Sequence, residues 1–281
     1  PRYVEVHGFP VFDDEGQIVQ MIEYSIDVTE RVKAEQEVER AKEAFEKSNK
    51  ELEQFAYIAS HDLQEPLRMI SSYTQLLEKR YKGRLDEKAD KYLYYAVDGA
   101  QRMQNLINDL LDYSRVGTRG NPFTQVDTKQ TAENAVHNLQ KAIEESGAEI
   151  ILEEQTLPQI VGDKSQIERL FQNLIGNAIK FRKEHETLKI RVTAEDKDEA
   201  WRFSVEDNGI GIDPKFQDRI FVIFQRLHTR ENYSGTGIGL SVCKRIVNRH
   251  GGEIWFDSEE GEGSLFHFTV SKELSETEEE Q

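Results

Sequence analysis

The chain has 281 residues, 53 of them acidic and 36 basic, for a formal net charge of −17. Such a surface repels nucleic acid and anionic membrane, so either partner would need a local basic patch, and nucleic acid is not an expected partner. No apolar run approaches the roughly 20 residues that a membrane-spanning helix needs, and no signal peptide opens the chain. One cysteine, Cys243, excludes an internal disulfide and fits a reducing compartment, so a cytoplasmic location is expected. A chain that starts at Pro1 is expected to be a piece of a longer one.

Residues 3–28 alternate in the manner of strands around an Asp13-Asp14-Glu15-Gly16 turn. A lone hairpin is not stable by itself, so this segment is expected to be the end of a larger domain. After Asp27-Val28 the pattern turns helical, with Thr29 as the expected cap. Val38, Phe45, Leu52 and Ala59 recur at seven residues, with Ala34, Ala41 and Phe55 between them, which is a coiled-coil seam. That seam runs into Ser60-His61-Asp62-Leu63-Gln64-Glu65-Pro66-Leu67-Arg68. An imidazole titrates near neutral pH and, beside a base, can act as a nucleophile. Taken alone, His61 would pass for a surface histidine on a charged helix. Pro66 offers no N–H to the carbonyl of Asp62, so a bend beside His61 is expected, making the segment bistable.

Lys82-Gly83-Arg84 breaks the helix and Asp86 caps a second, whose apolar residues from Leu93 to Leu111 recur at three and four and which ends near Gly117. Two helices joined this way form an antiparallel hairpin with an exposed apolar face, and two such hairpins make a four-helix bundle; a homodimer is expected. Residues 117–122 read as a linker. Beyond it come a strand, a helix over 127–145, short strands near Ile150 and Ile160, and a helix over 164–181. Strands over 188–194 and 201–206, a helix over 239–250 and two closing strands complete the order. Helices mixed with mainly antiparallel strands predict a two-layer α/β sandwich. Residues 273–281 are nearly all acidic or polar and read as a disordered tail.

Within the sandwich, Asp163 and Gln166 are spaced as a capping box at the start of the 164–181 helix. Asn173, Asn177 and Lys180 share one face of it, opposite the apolar Leu174, Ile175, Ala178 and Ile179. Neutral oxygen donors suit Mg²⁺ when a substrate's phosphates bring the charge, and lysine adds a cation for those phosphates. Asp207 ends a strand before Gly209 and Gly211, where a carboxylate can accept a hydrogen bond from the exocyclic amine of adenine. Gly235-Thr236-Gly237-Ile238-Gly239-Leu240 precedes the last helix, whose backbone N–H groups can wrap phosphate oxygens. The run fits neither a dinucleotide fingerprint nor a P-loop. Residues 214–234 read as a lid anchored by Phe221, Phe224 and Arg226. Cys243 falls on an apolar stripe and reads as core.

In order, these segments resemble the phospho-acceptor box (60–68), N box (173–181), first glycine box (207–211), F box (221–226) and second glycine box (235–240) of sensor histidine kinases of two-component systems. The wording around His61 is similar to kinases attached to PAS and phytochrome-type sensors, and residues 1–29 look like the last two strands of a PAS domain. The resemblance implies an all-α helical hairpin, dimerised as a four-helix bundle with an upstream coiled coil, followed by the α/β sandwich that binds ATP. It divides the chain into 1–29, 30–118, 119–272 and the tail 273–281.

The resemblance further implies autophosphorylation of His61 on a ring nitrogen, with Asp62 as base or orienting carboxylate, and transfer to an aspartate of a separate receiver protein. Asn177 would ligate Mg²⁺, Asn173 and Lys180 would contact phosphates, and Asp207 would read adenine. Phe181, Gly209, Gly211, Arg226, Gly235, Thr236, Gly237, Gly239 and Leu240 would shape the ATP pocket and lid. Glu65 stands where many members carry threonine or asparagine, so phosphatase activity toward the partner is not expected. Two other readings are a dimeric scaffold that binds ATP without chemistry and an ATPase of the chaperone, topoisomerase or mismatch-repair type.

Overall fold

The chain divides into two units, residues 1–55 and 56–281. The computed structural model describes residues 2–118, 120–153, 157–217, 219–225, 233 and 235–276; for residues 43–46, 48–57, 59, 61, 117 and 118 it describes the backbone alone.

In the first unit, β1 (Val4–Phe12) and β2 (Ile18–Asp27) pair antiparallel, Val4 opposite Asp27. Their turn depends on Gly16 at a φ of 79° and on the Asp13 carboxylate, which accepts the N–H groups of Glu15 (3.0 Å) and Gln17 (2.8 Å). Helix α1 (Thr29–Tyr81) follows at once. Thr29 is not its cap. The Asp27 carboxylate takes the Thr29 N–H at 3.0 Å, while the Thr29 hydroxyl accepts the N–H of Tyr3 at 2.9 Å and fastens the helix start to the head of β1. Of the seam residues, Ala34, Val38 and Ala41 are exposed on the single chain; the side chains of Phe45, Leu52, Phe55 and Ala59 lie outside the described residues.

In the second unit α1 runs on through Pro66 to Tyr81. The chain reverses at Gly83, whose φ is 72° and whose N–H is held by the Asp90 carboxylate at 3.0 Å. Asp86 caps helix α2 (Glu87–Thr118) through the N–H of Ala89 at 2.8 Å, as its position predicts. The last turns of α2 depart from the expected bundle seam. Leu106, Leu110, Tyr113 and Val116 pack against the core of the sandwich that follows.

That sandwich has a five-stranded sheet in the order β4-β6-β7-β9-β8, formed by β4 (Glu149–Leu152), β6 (Lys189–Lys197), β7 (Ala200–Asp207), β8 (Ile254–Glu259) and β9 (Gly263–Ser271). All its pairings are antiparallel except β4 with β6. β3 (Thr124–Asp127) and β5 (Gln159–Gly162) form a separate antiparallel pair. The helix expected over 127–145 is two, α3 (Thr128–Asn138) and α4 (Gln140–Ser146). Leu139 leaves helical geometry with ψ near 4°, and its N–H turns to the carbonyl of Val136 at 3.0 Å, three residues back. α5 (Lys164–Lys180) and α6 (Gly239–Arg249) lie on the sheet, burying Phe171, Leu174, Ile175, Val242, Ile246 and Val247 against Phe203 and Phe268. Of the expected tail, Leu274 packs against this core; residues 277–281 lie outside the described residues.

The capping box at α5 forms only in half. Asp163 accepts the N–H groups of Ser165 (3.0 Å) and Gln166 (3.3 Å), but its own N–H goes to Nε2 of His250 at 3.0 Å, and Gln166 reaches the Val116 carbonyl at 3.5 Å. His250 is fully buried, with its ring stacked on Phe123 at 4.8 Å. Its Nδ1 lies 2.8 Å from the Ile246 carbonyl, an acceptor, so Nδ1 carries the proton and Nε2 receives one. Both nitrogens are committed only if the ring is neutral. Burial accordingly holds the His250 pKa below its ordinary value. As pH falls through about 6.5, the unfolded chain takes up a proton that native His250 refuses. Thermal stability should therefore be full above that pH and decline below it. In His250→Leu the decline between about pH 7 and 5.5 should be shallower, and not absent, because burial lowers His267 too. An unchanged slope by calorimetry would remove His250 from this role.

Candidate functional site

α5 is the helix that makes the site. Its 3.6-residue period sends Ile167, Leu170, Phe171, Leu174, Ile175 and Ala178 into the core and carries Arg169, Asn173, Asn177 and Lys180 along a cavity of about 560 Å³. From the other elements Phe181, Asp207, Gly211, Gly235, Thr236, Gly237, Gly239 and Leu240 also line that cavity. Nearly every residue expected in the pocket is there.

Asp207, at the end of β7, is brought to the wall by its pairing with Ser264 of β9. Burial pushes its carboxyl above the usual range, against hydrogen bonds from the backbone N–H groups of Gly209 and Ser264. Gly209 is not on the cavity wall. It stands behind it, its N–H on the Asp207 carboxylate at 2.8 Å, with room for no side chain: a Cβ would lie 2.6 Å from the Phe181 carbonyl oxygen. Gly211, at φ 72°, likewise admits the carbonyl of Glu259.

On α5, Asn173 carries a buried Nδ2 with no hydrogen-bond partner, as does the Nε of Arg169 one turn before it. Lys180 sits over the Phe181 ring at 4.4 Å, and that ring meets Tyr233 at 4.9 Å. A Cβ at Gly235, whose φ is 141°, would come within 2.6 Å of the Lys180 Nζ, so glycine lets the loop close on the cation. α6 then starts at Gly239 with no side-chain cap, leaving its first N–H groups to whatever the cavity holds. Cys243, one turn on, is core as expected, and burial pushes its thiol up to about 12.

Other expectations meet a different structure. Phe221 packs on Phe256 with centroids 6.5 Å apart, but Phe224 is 56% exposed and anchors nothing by burial. Its backbone takes a left-handed φ of 65°, held by a hydrogen bond from its N–H to the Gly237 carbonyl at 3.0 Å. Arg226 and the second half of the lid, except Tyr233, lie outside the described residues. So does the side chain of His61, whose backbone is helical within α1; Asp62 beside it and Glu65 are exposed.

The residues that sequence reasoning missed come from α2. Asn105, Asn108, Asp109 and Asp112 line the same cavity. Asp109 accepts a hydrogen bond from the Thr236 hydroxyl at 2.5 Å, and Arg169 lies 3.7 Å from Asp109 and 2.6 Å from Asp112. Burial raises the pKa of Asp109 despite these partners. Arg169 was within reach of the sequence, since it stands one turn before Asn173 on the same face. Nothing local in α2 announces that it would meet α5.

The chemistry available is recognition of a compound with a hydrogen-bond donor for Asp207 at one end and anionic oxygens for Lys180 and the α6 start at the other. The donor set also fits a divalent cation delivered with phosphates. Among the described residues no cluster of three His, Cys, Asp or Glu could hold a metal unaided, whereas neutral Asn177 can supply one oxygen to an ion whose charge the phosphates balance. No helix among the described residues is long and apolar enough to cross a membrane.

Comparison with known families gives two matches in this order. Residues 51–119 match the His Kinase A (phospho-acceptor) domain, and residues 162–274 match the histidine kinase-, DNA gyrase B-, and HSP90-like ATPase. Cyanobacterial phytochrome A of Nostoc sp. is 51% identical over 226 residues, covering 80% of this chain and 29% of the relative. Phytochrome-like protein Cph1 of Synechocystis sp. is 50% identical over 226 residues, covering 80% and 30%. The chain thus spans less than a third of the length of these curated relatives. Among solved structures, full-length ShkA in complex with AMPPNP aligns with a TM-score of 0.61 at 26% identity, over 79% of this chain and 47% of that one. The phospho-acceptor match separates the chain from the gyrase- and chaperone-type ATPases that share only the second domain. A helical phospho-acceptor region followed by this ATPase sandwich makes the chain a member of the sensor histidine kinases, related to those of phytochrome type.

Proposed function

We propose that this chain moves the terminal phosphoryl group of ATP to a ring nitrogen of His61 and from there to an aspartate on a separate receiver protein. The observation that carries the reading is the cavity itself, where Asp207, the Asn173–Asn177–Lys180 face and an uncapped, glycine-bounded helix start converge.

Asp207 accepts the adenine amine, its burial making that hydrogen bond a strong discriminator. Asn173, Lys180 and the N–H groups at the head of α6 take the phosphate oxygens. Asn177, with the nucleotide's phosphates, would hold Mg²⁺, which would supply charge neutralisation. The His61 nitrogen lone pair forms the new N–P bond as the bond to the bridging oxygen of ADP breaks, and ADP leaves. Asp62 orients the ring and receives or shares the proton of its other nitrogen. Catalysis of this kind is mostly positioning and electrostatics, which these groups provide. Glu65 would repel a phosphorylated aspartate, so phosphatase activity toward the receiver is not expected.

Leu63, Ile70 and Leu77 stand seven residues apart on α1 and are 46–55% exposed, an apolar row that supports pairing of two hairpins into a four-helix bundle. Around the two strands β1 and β2, the exposed Val6, Phe9, Ile18 and Ile22 fit the closing hairpin of a PAS-type sensor whose other strands would cover them. The domain division read from the sequence, a cytoplasmic location and the coiled coil over the 34–59 seam belong to this proposal.

With labelled ATP and magnesium, the protein should acquire acid-labile, alkali-stable label that is absent in His61→Gln. Hydrolysis without protein label would instead favour a plain ATPase. Asp207→Asn should weaken nucleotide binding at least about tenfold, the cost of mismatching a buried acceptor. Asp62→Asn should keep the affinity and slow the labelling, and normal affinity in Asp207→Asn would contradict the pocket assignment.

A further inference from the structure

The phosphate end of this cavity is not open to solvent alone; an acidic face of α2 is seated on it. The Thr236 hydroxyl, in the loop proposed to wrap phosphate oxygens, donates to Asp109 at 2.5 Å. The Arg169 guanidinium, one turn before Asn173, is engaged by Asp112 at 2.6 Å and faces Asp109 at 3.7 Å. The α2 face is fixed in turn by carboxamides: Asn108 accepts from Gln64 of α1 at 3.0 Å and from Gln104 at 3.2 Å. A carboxylate oxygen bonded to a hydroxyl and lying near a guanidinium is what a phosphate oxygen would be in the same place.

We propose that Asp109 occupies the ground of the nucleotide's phosphates, so that docking of α2 on the ATPase domain and binding of a nucleoside polyphosphate oppose one another. This rests on the nucleotide reading above. The opposition has two sources. Thr236 cannot donate its one proton to both acceptors, and a carboxylate a few ångströms from a triphosphate raises the energy of the bound state. Coupling between two binding events is reciprocal, so whatever factor docking takes from nucleotide affinity, nucleotide takes from docking. A bound polyphosphate would then loosen α2 from the cavity and free the ATPase domain to travel. Adenosine, which reaches Asp207 but brings no phosphate, would leave the docked contact intact.

The test is affinity as a function of phosphate content in the whole chain. Asp109→Asn keeps the shape and an oxygen for Thr236 while removing the charge; Asp109→Ala removes both the charge and the oxygen. Each should bind ATP about tenfold more tightly than the natural protein, within the usual range of such couplings, and adenosine with unchanged affinity. Amide exchange over 103–113 should rise on adding ATP to the natural protein and not on adding adenosine. Equal ATP affinity in all three proteins would overturn the proposal. So would an equal gain for ATP and adenosine, which signals loosening of the fold instead of relief of charge. Failure of the natural protein to bind either compound, or indifference to Asp207→Asn, would bring down the nucleotide reading itself, a result distinguishable from the other two.

Discussion

The structure of the site depends on one buried carboxylate. Asp163 is fully buried, yet it faces six donors: the N–H groups of Ser165, Gln166 and Asn121, the Asn121 side-chain amide, the Ser165 hydroxyl, and the Arg249 guanidinium at 2.9 Å. Burial alone would drive its pKa up; these hydrogen bonds more than offset that and hold it below the usual carboxylate range. Through them the head of α5, the tail of α6 and the chain leaving α2 are joined at a point. Arg249 completes the knot by donating to the Asn121 carbonyl at 2.9 Å and covering the Phe123 ring at 4.6 Å. Removing one member of a buried ion pair costs roughly 3–5 kcal/mol, a large part of a domain's stability. The carboxylate is a structural necessity before it is anything else.

From that point α5 can carry two incompatible faces. Six large apolar side chains, Ile167, Leu170, Phe171, Leu174, Ile175 and Ile179, sink into the core, each worth about 1.5–3 kcal/mol of burial. On the other side an unpartnered Asn173 amide costs about 1–3 kcal/mol. The apolar face outweighs the polar one several-fold, so the helix stays seated while holding groups whose partners arrive only with a ligand. Gly162 shows how little slack the arrangement has. A Cβ there would lie 2.9 Å from His250, the residue that answers the N–H of Asp163.

What was readable in the sequence follows the range of the forces involved. The N-box face of α5, the Asp207 turn, the glycines before α6 and the Asp86 cap are local patterns, and each stands where its spacing put it. The misreadings are contacts between residues far apart in the chain. Thr29, a cap by its position, answers Tyr3; the Asp163 N–H, which a full capping box would give to Gln166, goes to His250, 87 residues from Asp163. Leu110 and Val116 follow the periodicity of a bundle helix and yet end in the core of the sandwich. Hydrophobic period reports that a face will be covered, never by what.

The charge of the cavity ties these strands together. The chain is acidic throughout, and among the described residues lining the pocket Arg169 and Lys180 face the carboxylates of Asp109, Asp112 and Asp207. Asp207 sits at the β7 end of the wall and belongs to the pocket whatever α2 does. The other two arrive with α2 and pair with Arg169, so the docked state is nearly balanced without any ligand. A polyanion entering it finds the Arg169 guanidinium already engaged. The same two carboxylates that complete the resting electrostatics are thus the ones that a phosphate-bearing substrate must displace, and they lie on the helix that turns back through Gly83 to the one carrying His61. Occupancy of the pocket and freedom of the phospho-acceptor hairpin are set by a single group of contacts.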